Sequence, residues 1–257
     1  MSNDLDSVYS RQSHDEKKSD AILNNLLLNT HFDGDRLRNL PLFMRQKDLA
    51  HILALSVIYQ EVLSIPGYIA EFGLMYGRNF NLFHCLRECY EPLNHTRKLI
   101  GFDSFEGFLR SSKEDLPKSA PREDLHKIGA YAVPRDWELR LASILEAQEA
   151  VSHLSHLRRF EIVRGDVAET LPAFLEANPH AIFALCYLDL DLYEPTRAVL
   201  EAIAPRLTRG SILVFDEVCN PEYPGETAAL EEVFGLRNIE LRRLPLSGWK
   251  TYFRVDS

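Results

Sequence analysis

The chain has 257 residues, 46% of them hydrophobic and 26% charged, which is enough apolar surface for a substantial core and excludes a disordered or fibrous protein. Its formal net charge of −9 argues against a nucleic-acid backbone or an anionic membrane as the main partner, since both attract basic surfaces. No apolar run approaches the roughly 20 residues that span a bilayer, and the opening "MSNDLDSVYSRQSHDEKKSD" has no apolar signal-peptide core, so a soluble, cytoplasmic protein is expected.

Residues 1 to about 18 are polar and charged and read as a mobile segment, with 19–257 as one domain. "DAILNNLLLN" and "PLFMRQKDLAHILALSVIYQEVL" carry apolar residues at helical spacing, predicting two or three helices within 19–64. Strands then alternate with helices. "GYIAEFGL" is followed by a helix over 78–90, "KLIGFDSF" by a long segment, and "RFEIVRGD" by a short helix near "ETLPAFLEA". "IFALCYLDL" precedes a helix from Glu194 to about Arg206, and "SILVFDEV" precedes one around "GETAALEEVFG". This alternation predicts an α/β fold, a doubly wound parallel sheet covered on both faces. "IELRRLPL" and "KTYFRV", joined by "SGW", read as an antiparallel hairpin at its edge.

Residues 106–158 are too long for one crossover helix, and Pro117, Pro121 and Pro134 interrupt them. They read as a loop insertion over the open end of the sheet, either a lid or a surface excursion. Cys85, Cys89, Cys186 and Cys219 lack the paired spacings of a zinc site and are expected as buried, reduced thiols.

In open α/β sheets ligands bind outside the carboxyl ends of the strands, so those ends hold the candidate site. Strand one ends "EFGLMYG", with Glu71, Gly73, Tyr76 and Gly77. The glycines admit a ligand to the backbone ahead of a helix N-terminus, or else serve tight strand-to-helix packing. Strand two ends "GFDSF"; there Asp103, beside Ser104, takes both ribose hydroxyls or acts as a capping or turn residue. Strand three ends "VRGDVAETLP", where Asp166, followed by Val167, accepts from an adenine amino group or caps the next helix. Without a G-x-G-x-x-G phosphate loop, these three features describe a site for an adenosine-bearing cofactor.

"CYLDLDLYEPT" ends an apolar strand on carboxylates, which are costly to desolvate without a partner. If the strand order reverses after strand one, strands four and five are neighbours, and Asp189 converges with Asp216 and Glu217. Three hard oxygen donors suit Mg²⁺. The alternative leaves Asp216 and Glu217 in solvent and Asp189 capping the helix near Glu194. Asp191 is either a turn or capping residue or one that faces the substrate.

"PLFMRQKDLAHIL", "IAEFGLMYGRN", "GFDSFEGF", "GDVAETLP", "YLDLDLYEPTRAVLEAIAPRLTRGSILVFDE" and "WKTYF" resemble the macrocin O-methyltransferase family from about residue 38 to the end. Leu190 stands where that family usually has Gly, and Glu217 where it usually has a second Asp. The resemblance implies a seven-stranded Rossmann-like class I fold and an S-adenosylmethionine (SAM)-dependent enzyme that methylates sugar hydroxyls in antibiotic biosynthesis. It implies that Glu71 and Gly73 lie beside the methionine moiety, that Asp103 holds the ribose and that Asp166 meets the adenine. It also implies that Asp189, Asp216 and Glu217 bind Mg²⁺, with Asp189 as base.

The expected chemistry is attack by a sugar or sugar-nucleotide hydroxyl on the sulfonium methyl, with a cation lowering the hydroxyl pKa and a carboxylate taking the proton. In the insertion, His126, Tyr131, Arg135 and Trp137 are candidate acceptor contacts. A catechol-type O-methyltransferase would use the same logic on a small diol. A nicotinamide-dependent oxidoreductase lacks its glycine motif here, and a silent SAM-binding scaffold would have no need of the three acids together. Apolar residues on the N-terminal helices predict a homo-oligomer, or else packing on their own sheet.

Overall fold

The computed structural model describes residues 13–32, 36–116 and 126–256. The first twelve residues of the expected mobile segment, and Pro117 and Pro121 of the insertion, lie outside the described residues. Two compact units divide the chain, one within Met1–Ile52 and one within Leu53–Ser257.

In the first unit, α1 (His14–Asn29) starts earlier than the charged run predicts. "SHDE" builds a capping box there: the Glu16 amide donates to Ser13 Oγ (3.3 Å) and the Ser13 amide donates to Glu16 Oε2 (2.8 Å). A 3-10 turn (Leu37–Phe43) precedes α2 (Gln46–Glu61), which Arg45 enters with ion pairs to Asp20 (2.6 Å) and Asp48 (2.7 Å).

The second unit is built on seven strands: β1 (Tyr68–Phe72), β2 (Leu99–Asp103), β3 (Phe160–Arg164), β4 (Phe183–Leu188), β5 (Leu207–Phe215), β6 (Arg242–Arg243) and β7 (Thr251–Arg254). They form one sheet in the order 3-2-1-4-5-7-6, the doubly wound class I arrangement expected from the sequence. β1 to β5 are parallel, whereas β7 runs antiparallel between β5 and β6. The order reverses between β1 and β4, which makes β4 and β5 neighbours. The hairpin turn is longer than "SGW": it spans 244–250, and β6 keeps only two paired residues.

Because side chains alternate along a strand, each face of the sheet collects every second residue. Ala70, Phe72, Cys186, Leu188, Leu213 and Phe215 pack on the face covered by α5 (Val167–Ala177), α6 (Tyr193–Ile203) and α7 (Pro224–Phe234). Ile69, Leu185, Tyr187, Ile212 and Val214 pack on the face covered by α3 (Arg78–Tyr90), α4 (Trp137–Glu149) and the second half of α2. The helix α4 shortens the expected insertion, since Leu141 and Leu145, one turn apart, enter this core. The looped part therefore ends before Trp137. Of the four thiols, all free, only Cys186 is buried; Cys85, Cys89 and Cys219 are exposed, contrary to expectation.

A buried cation ties the entry side of the sheet. Arg97 is 2% exposed and donates to the carbonyls of Gly67 (2.6 Å), Val62 (3.0 Å) and Ile65 (2.9 Å). Its Nε donates to Glu91 Oε2 (2.8 Å), which also accepts from the Tyr59 hydroxyl (2.7 Å). Replacing it by Met would leave Glu91 and three carbonyls with no donor in place of Arg97. Arg97→Met should therefore lower the unfolding free energy by about 3–5 kcal/mol, the usual cost of breaking a buried ion pair. Urea denaturation checks this, and a loss below about 1 kcal/mol, the range of an exposed pair, would contradict it.

Candidate active site

The carboxyl ends of β1 to β5 share one edge, and alternation decides what meets there. Glu71, Tyr187, Asp189 and Asp216 follow Ile69, Leu185, Tyr187 and Val214 at steps of two, so they share the α3 face. Glu217 falls on the opposite parity. Its amide donates to Glu226 Oε2 (2.7 Å) on α7, whose Ala229 and Leu230 belong to the other face.

The residues expected to bind a cofactor line the same edge. Glu71 is 1% exposed and its Oε2 has no hydrogen-bond partner among the described residues. Burial first, then Asp189 and Asp103, push its carboxyl well above the ordinary range, against a hydrogen bond from Asn79. Gly73 has φ +89, and a Cβ there would collide with the Asp189 carbonyl oxygen. Of the two roles open for this glycine, close packing of the β1 exit against the β4 exit is the one visible: its amide donates to the Phe102 carbonyl (2.9 Å), and the Asp189 amide donates to Phe72 (2.8 Å). Tyr76 is half exposed and meets Trp137 edge to face, 5.1 Å between centroids, and Gly77 caps α3.

Asp103 holds two loops at once. It accepts from the amides of Met75 (2.7 Å) and Phe105 (2.5 Å), and both residues have positive φ. Burial raises its carboxyl above the usual value while these amides lower it. Ser104 Oγ donates to the Gly107 carbonyl (3.0 Å). Asp166 takes the capping role for α5, accepting from the Ala168 amide (3.0 Å), and pairs with Arg110; the adjoining Val167 is buried.

The acids at β4 and β5 divide into two groups. Asp216 accepts from the Tyr187 hydroxyl (2.9 Å) and pairs with Lys250, while Glu217 accepts from Asn220 Nδ2. Asp191, which has φ +61, leaves the strand direction and reaches the field of Asp189, Glu217 and Asp115. Burial and these charges push Asp191 well above the carboxylate range. Asp189 is also raised by burial, with Lys250 and Arg78 working the other way. Glu226, which sequence reasoning missed, is fully buried with Oε1 unpartnered among the described residues. No signal distinguishes it from other acids in "GETAALEE", since only the packing of α7 aims it inward. The donor set is all carboxylate oxygen, the chemistry of a hard divalent ion. Among the described residues, no group of three or more His, Cys, Asp or Glu side chains has the arrangement to hold a metal ion.

Part of the insertion folds against this edge. Asp115, 1% exposed, accepts from the amide of Tyr193 (2.6 Å) at the start of α6 and from the Ser112 amide (2.7 Å) and hydroxyl (2.8 Å). A Cβ on Gly225 would overlap this carboxylate, so the glycine makes room for it. His126 is buried, with neither ring nitrogen partnered among the described residues, and packs 5.1 Å from the Tyr223 ring. The Tyr131 and Tyr223 hydroxyls share a hydrogen bond of 2.5 Å, and burial first, then Asp191, raise the Tyr223 hydroxyl above its ordinary range. Arg135 instead reaches solvent, 3.8 Å from Asp136, and Trp137 donates to the Tyr76 carbonyl (3.2 Å). The four expected acceptor contacts are thus split, with His126 and Tyr131 both meeting Tyr223, Trp137 meeting Tyr76 and Arg135 in solvent.

Residues 70–218 match the model of a family described as a methyltransferase domain. The chain is 40% identical to CalS11, a calicheamicin methyltransferase of known crystal structure, over 99% of this chain and 97% of that one, with a TM-score of 0.90. A second structure, apo CalS11, the TDP-rhamnose 3'-O-methyltransferase of calicheamicin biosynthesis, is 38% identical over 97% and 98% of the chains, with a TM-score of 0.83. The O-methyltransferase NovP, 18% identical over 81% of each chain with a TM-score of 0.60, shares the fold. No curated protein matches.

The field at Glu226 has a measurable consequence. Burial first, then Asp191, Asp189 and Glu217, hold its carboxyl well above the ordinary range, against the hydrogen bond from the Glu217 amide. The native state then keeps a proton that the unfolded chain has lost, so stability falls as pH rises from the ordinary carboxylate range toward the raised value. Glu226→Gln removes this penalty and can still accept from the Glu217 amide. In EDTA its Tm should exceed that of the wild type at about pH 8, and the gap should close toward about pH 5. Thermal denaturation across this range checks it, and a gap indifferent to pH would contradict it.

Proposed function

The chain belongs to the methyltransferase-domain family, and on that premise we propose that it is a SAM-dependent O-methyltransferase acting on a deoxysugar hydroxyl, the 3-hydroxyl of a TDP-linked rhamnose, in antibiotic biosynthesis. The observation that carries this reading is the near full-length 40% identity to CalS11. The carboxylates at the edge of β4 and β5 support it, because a neutral sugar alcohol is a poor nucleophile and needs an acceptor for its proton.

Bound SAM supplies an electrophilic methyl group. On the protein side, Glu71 and Gly73 lie at the end of β1 for the methionine moiety, Asp103 faces the ribose and Asp166, with Val167, the adenine. The unpartnered Oε2 of Glu71 and the spare lone pairs of Asp103 fit such a ligand. Arg110 must leave Asp166 for the adenine amino group to be received there.

Asp189, Asp216 and Glu217 are hard oxygen donors of the kind Mg²⁺ takes, although among the described residues no three such side chains have the arrangement to hold an ion. When bound, the ion lowers the pKa of a coordinated hydroxyl. The acceptor oxygen forms its bond to the methyl carbon as the carbon–sulfur bond breaks, and the hydroxyl proton passes to a carboxylate of the Asp189–Asp191 turn. His126 and Tyr131, in the described part of the insertion, border the acceptor side.

Among the described residues, no helix is long and apolar enough to cross a membrane. We propose a homo-oligomer built through the first unit, where α1 buries none of its side chains and Leu26, Leu28, Leu37 and Leu42 are exposed. Sedimentation equilibrium should give more than one chain per particle, and Leu26→Glu with Leu28→Glu should lower that number.

Incubation with methyl-labelled SAM, Mg²⁺ and a panel of sugar nucleotides and catechols tests the reaction. Label should enter a deoxysugar nucleotide, and transfer to catechols alone would overturn the sugar assignment. Asp189→Ala should reduce turnover by at least about 100-fold while calorimetry still registers SAM binding, and excess EDTA should suppress the wild type. Normal rates in either case would contradict this chemistry.

A further inference from the structure

A polar ring buried without partners destabilises the fold that holds it, and His126 is such a ring. It is 7% exposed, and neither Nδ1 nor Nε2 has a hydrogen-bond partner among the described residues. Buried polar groups are ordinarily satisfied, so two idle nitrogens on one imidazole disfavour the free protein and are relieved only when a ligand supplies the missing bonds. The surroundings of the ring are fixed from two sides. Gly107 has φ +74, and a Cβ there would overlap the Ala130 carbonyl oxygen, so two strands of the insertion meet at backbone contact. The Phe108 amide donates to the Ala130 carbonyl (3.0 Å) and the Gly129 amide to the Phe108 carbonyl (2.8 Å). This tie sets Tyr131 beside Phe108, 5.2 Å between ring centres, with its hydroxyl on that of Tyr223. Tyr223, 5.1 Å from the His126 ring, directly precedes α7, and Glu226 in the first turn of that helix accepts from the Glu217 amide. The aromatic group therefore adjoins the acidic edge, and Asp191 and Glu217 both act on the Tyr223 hydroxyl.

We propose that His126 determines acceptor specificity: its imidazole binds a second hydroxyl of the sugar, adjacent to the one that is methylated, beside the paired hydroxyls of Tyr131 and Tyr223. The inference rests on the sugar reading of the preceding subsection. A neutral imidazole offers one donor and one acceptor, and a sugar hydroxyl both donates and accepts, so the two match in either tautomer. The Tyr131–Tyr223 bond joins two hydroxyls and is exchangeable for bonds to a third. Aromatic side chains around a few polar groups are also the ordinary lining of a small-molecule site. An acceptor without the second hydroxyl leaves the imidazole unpartnered in the complex as well, which is how a site built for a hydroxyl rejects an analogue lacking it. His126 thus selects the substrate and takes no part in methyl transfer.

The test compares TDP-rhamnose with its 2-deoxy and 4-deoxy analogues as acceptors for wild type, His126→Phe, His126→Leu and His126→Gln. SAM binding is followed by calorimetry, and Tm is read without ligands. Wild type should use at least one analogue with kcat/KM lower by about 10- to 100-fold, the range for a buried group left unpaired. His126→Phe and His126→Leu should lower kcat/KM for TDP-rhamnose by a similar factor while binding SAM as wild type does. Both should treat TDP-rhamnose and that analogue alike, within about twofold. His126→Gln, which keeps a donor and an acceptor, should recover part of the discrimination. At least one of the two apolar variants should have a Tm at or above that of wild type, since unpartnered polar atoms leave the interior. A Tm below wild type in both would mark the imidazole as a support of the fold and overturn the proposal, as would full wild-type discrimination in the apolar variants. Methylation of TDP-rhamnose by wild type with no preference over either analogue overturns the role of His126 and leaves the sugar reading intact. If wild type methylates no sugar nucleotide, both are overturned.

Discussion

The organising constraint of this molecule is the burial of carboxylates where the parallel strands end. Glu71, Asp189, Asp191, Asp216, Glu217 and Glu226 crowd one edge of the sheet, with Lys250 and Arg78 as the cations within reach. Desolvating an anion costs several kcal/mol unless something of opposite charge shares its site. Raised pKa values at Glu71, Asp189, Asp191 and Glu226 express that cost, which is met in three ways: an ammonium on Asp216, backbone amides on Glu226 and Asp103, and the affinity left over for a ligand. An edge built this way gives up stability to keep its acids buried. Stability given up at a site is commonly what function draws on.

The fold concentrates this charge through two features of its topology. The reversal of strand order between β1 and β4 opens the crevice at which ligands bind in sheets of this kind. The antiparallel β7 then delivers a side chain to that crevice from the opposite direction, something no parallel neighbour of β5 could do. Gly73 sits where the two loops at the switch point touch, so the β1 and β4 exits are held at backbone contact. Asp115 adds a third tie by bonding the insertion to the first amide of α6, directly after the acidic turn.

Much of the scaffold was legible from residue patterns. Period-two apolar runs located the strands, and helical periodicity placed α3 over the residues it occupies, because burial on a sheet imposes those repeats. Errors arose where local signals are weak or compete. The start of α1 was hidden in a charged run although "SHDE" is a capping box, and α4 was hidden in the insertion because its two core leucines are a short pattern beside several prolines. Exposure of Cys85, Cys89 and Cys219 is a matter of which helix or loop face turns outward, and residue type alone does not set that.

The active-edge residues divide in the same way. Sequence by itself determined the strands and the acidic residues at their ends, because each depends on a residue and its near neighbours along the chain. Tertiary structure alone decided which acids share a face, that Glu226 joins them from α7, that His126 and Tyr131 meet at Tyr223 while Arg135 reaches solvent, and that Lys250 meets Asp216. Those pairings join residues far apart in sequence, and side-chain parity, strand register and helix packing set them only once the sheet has assembled.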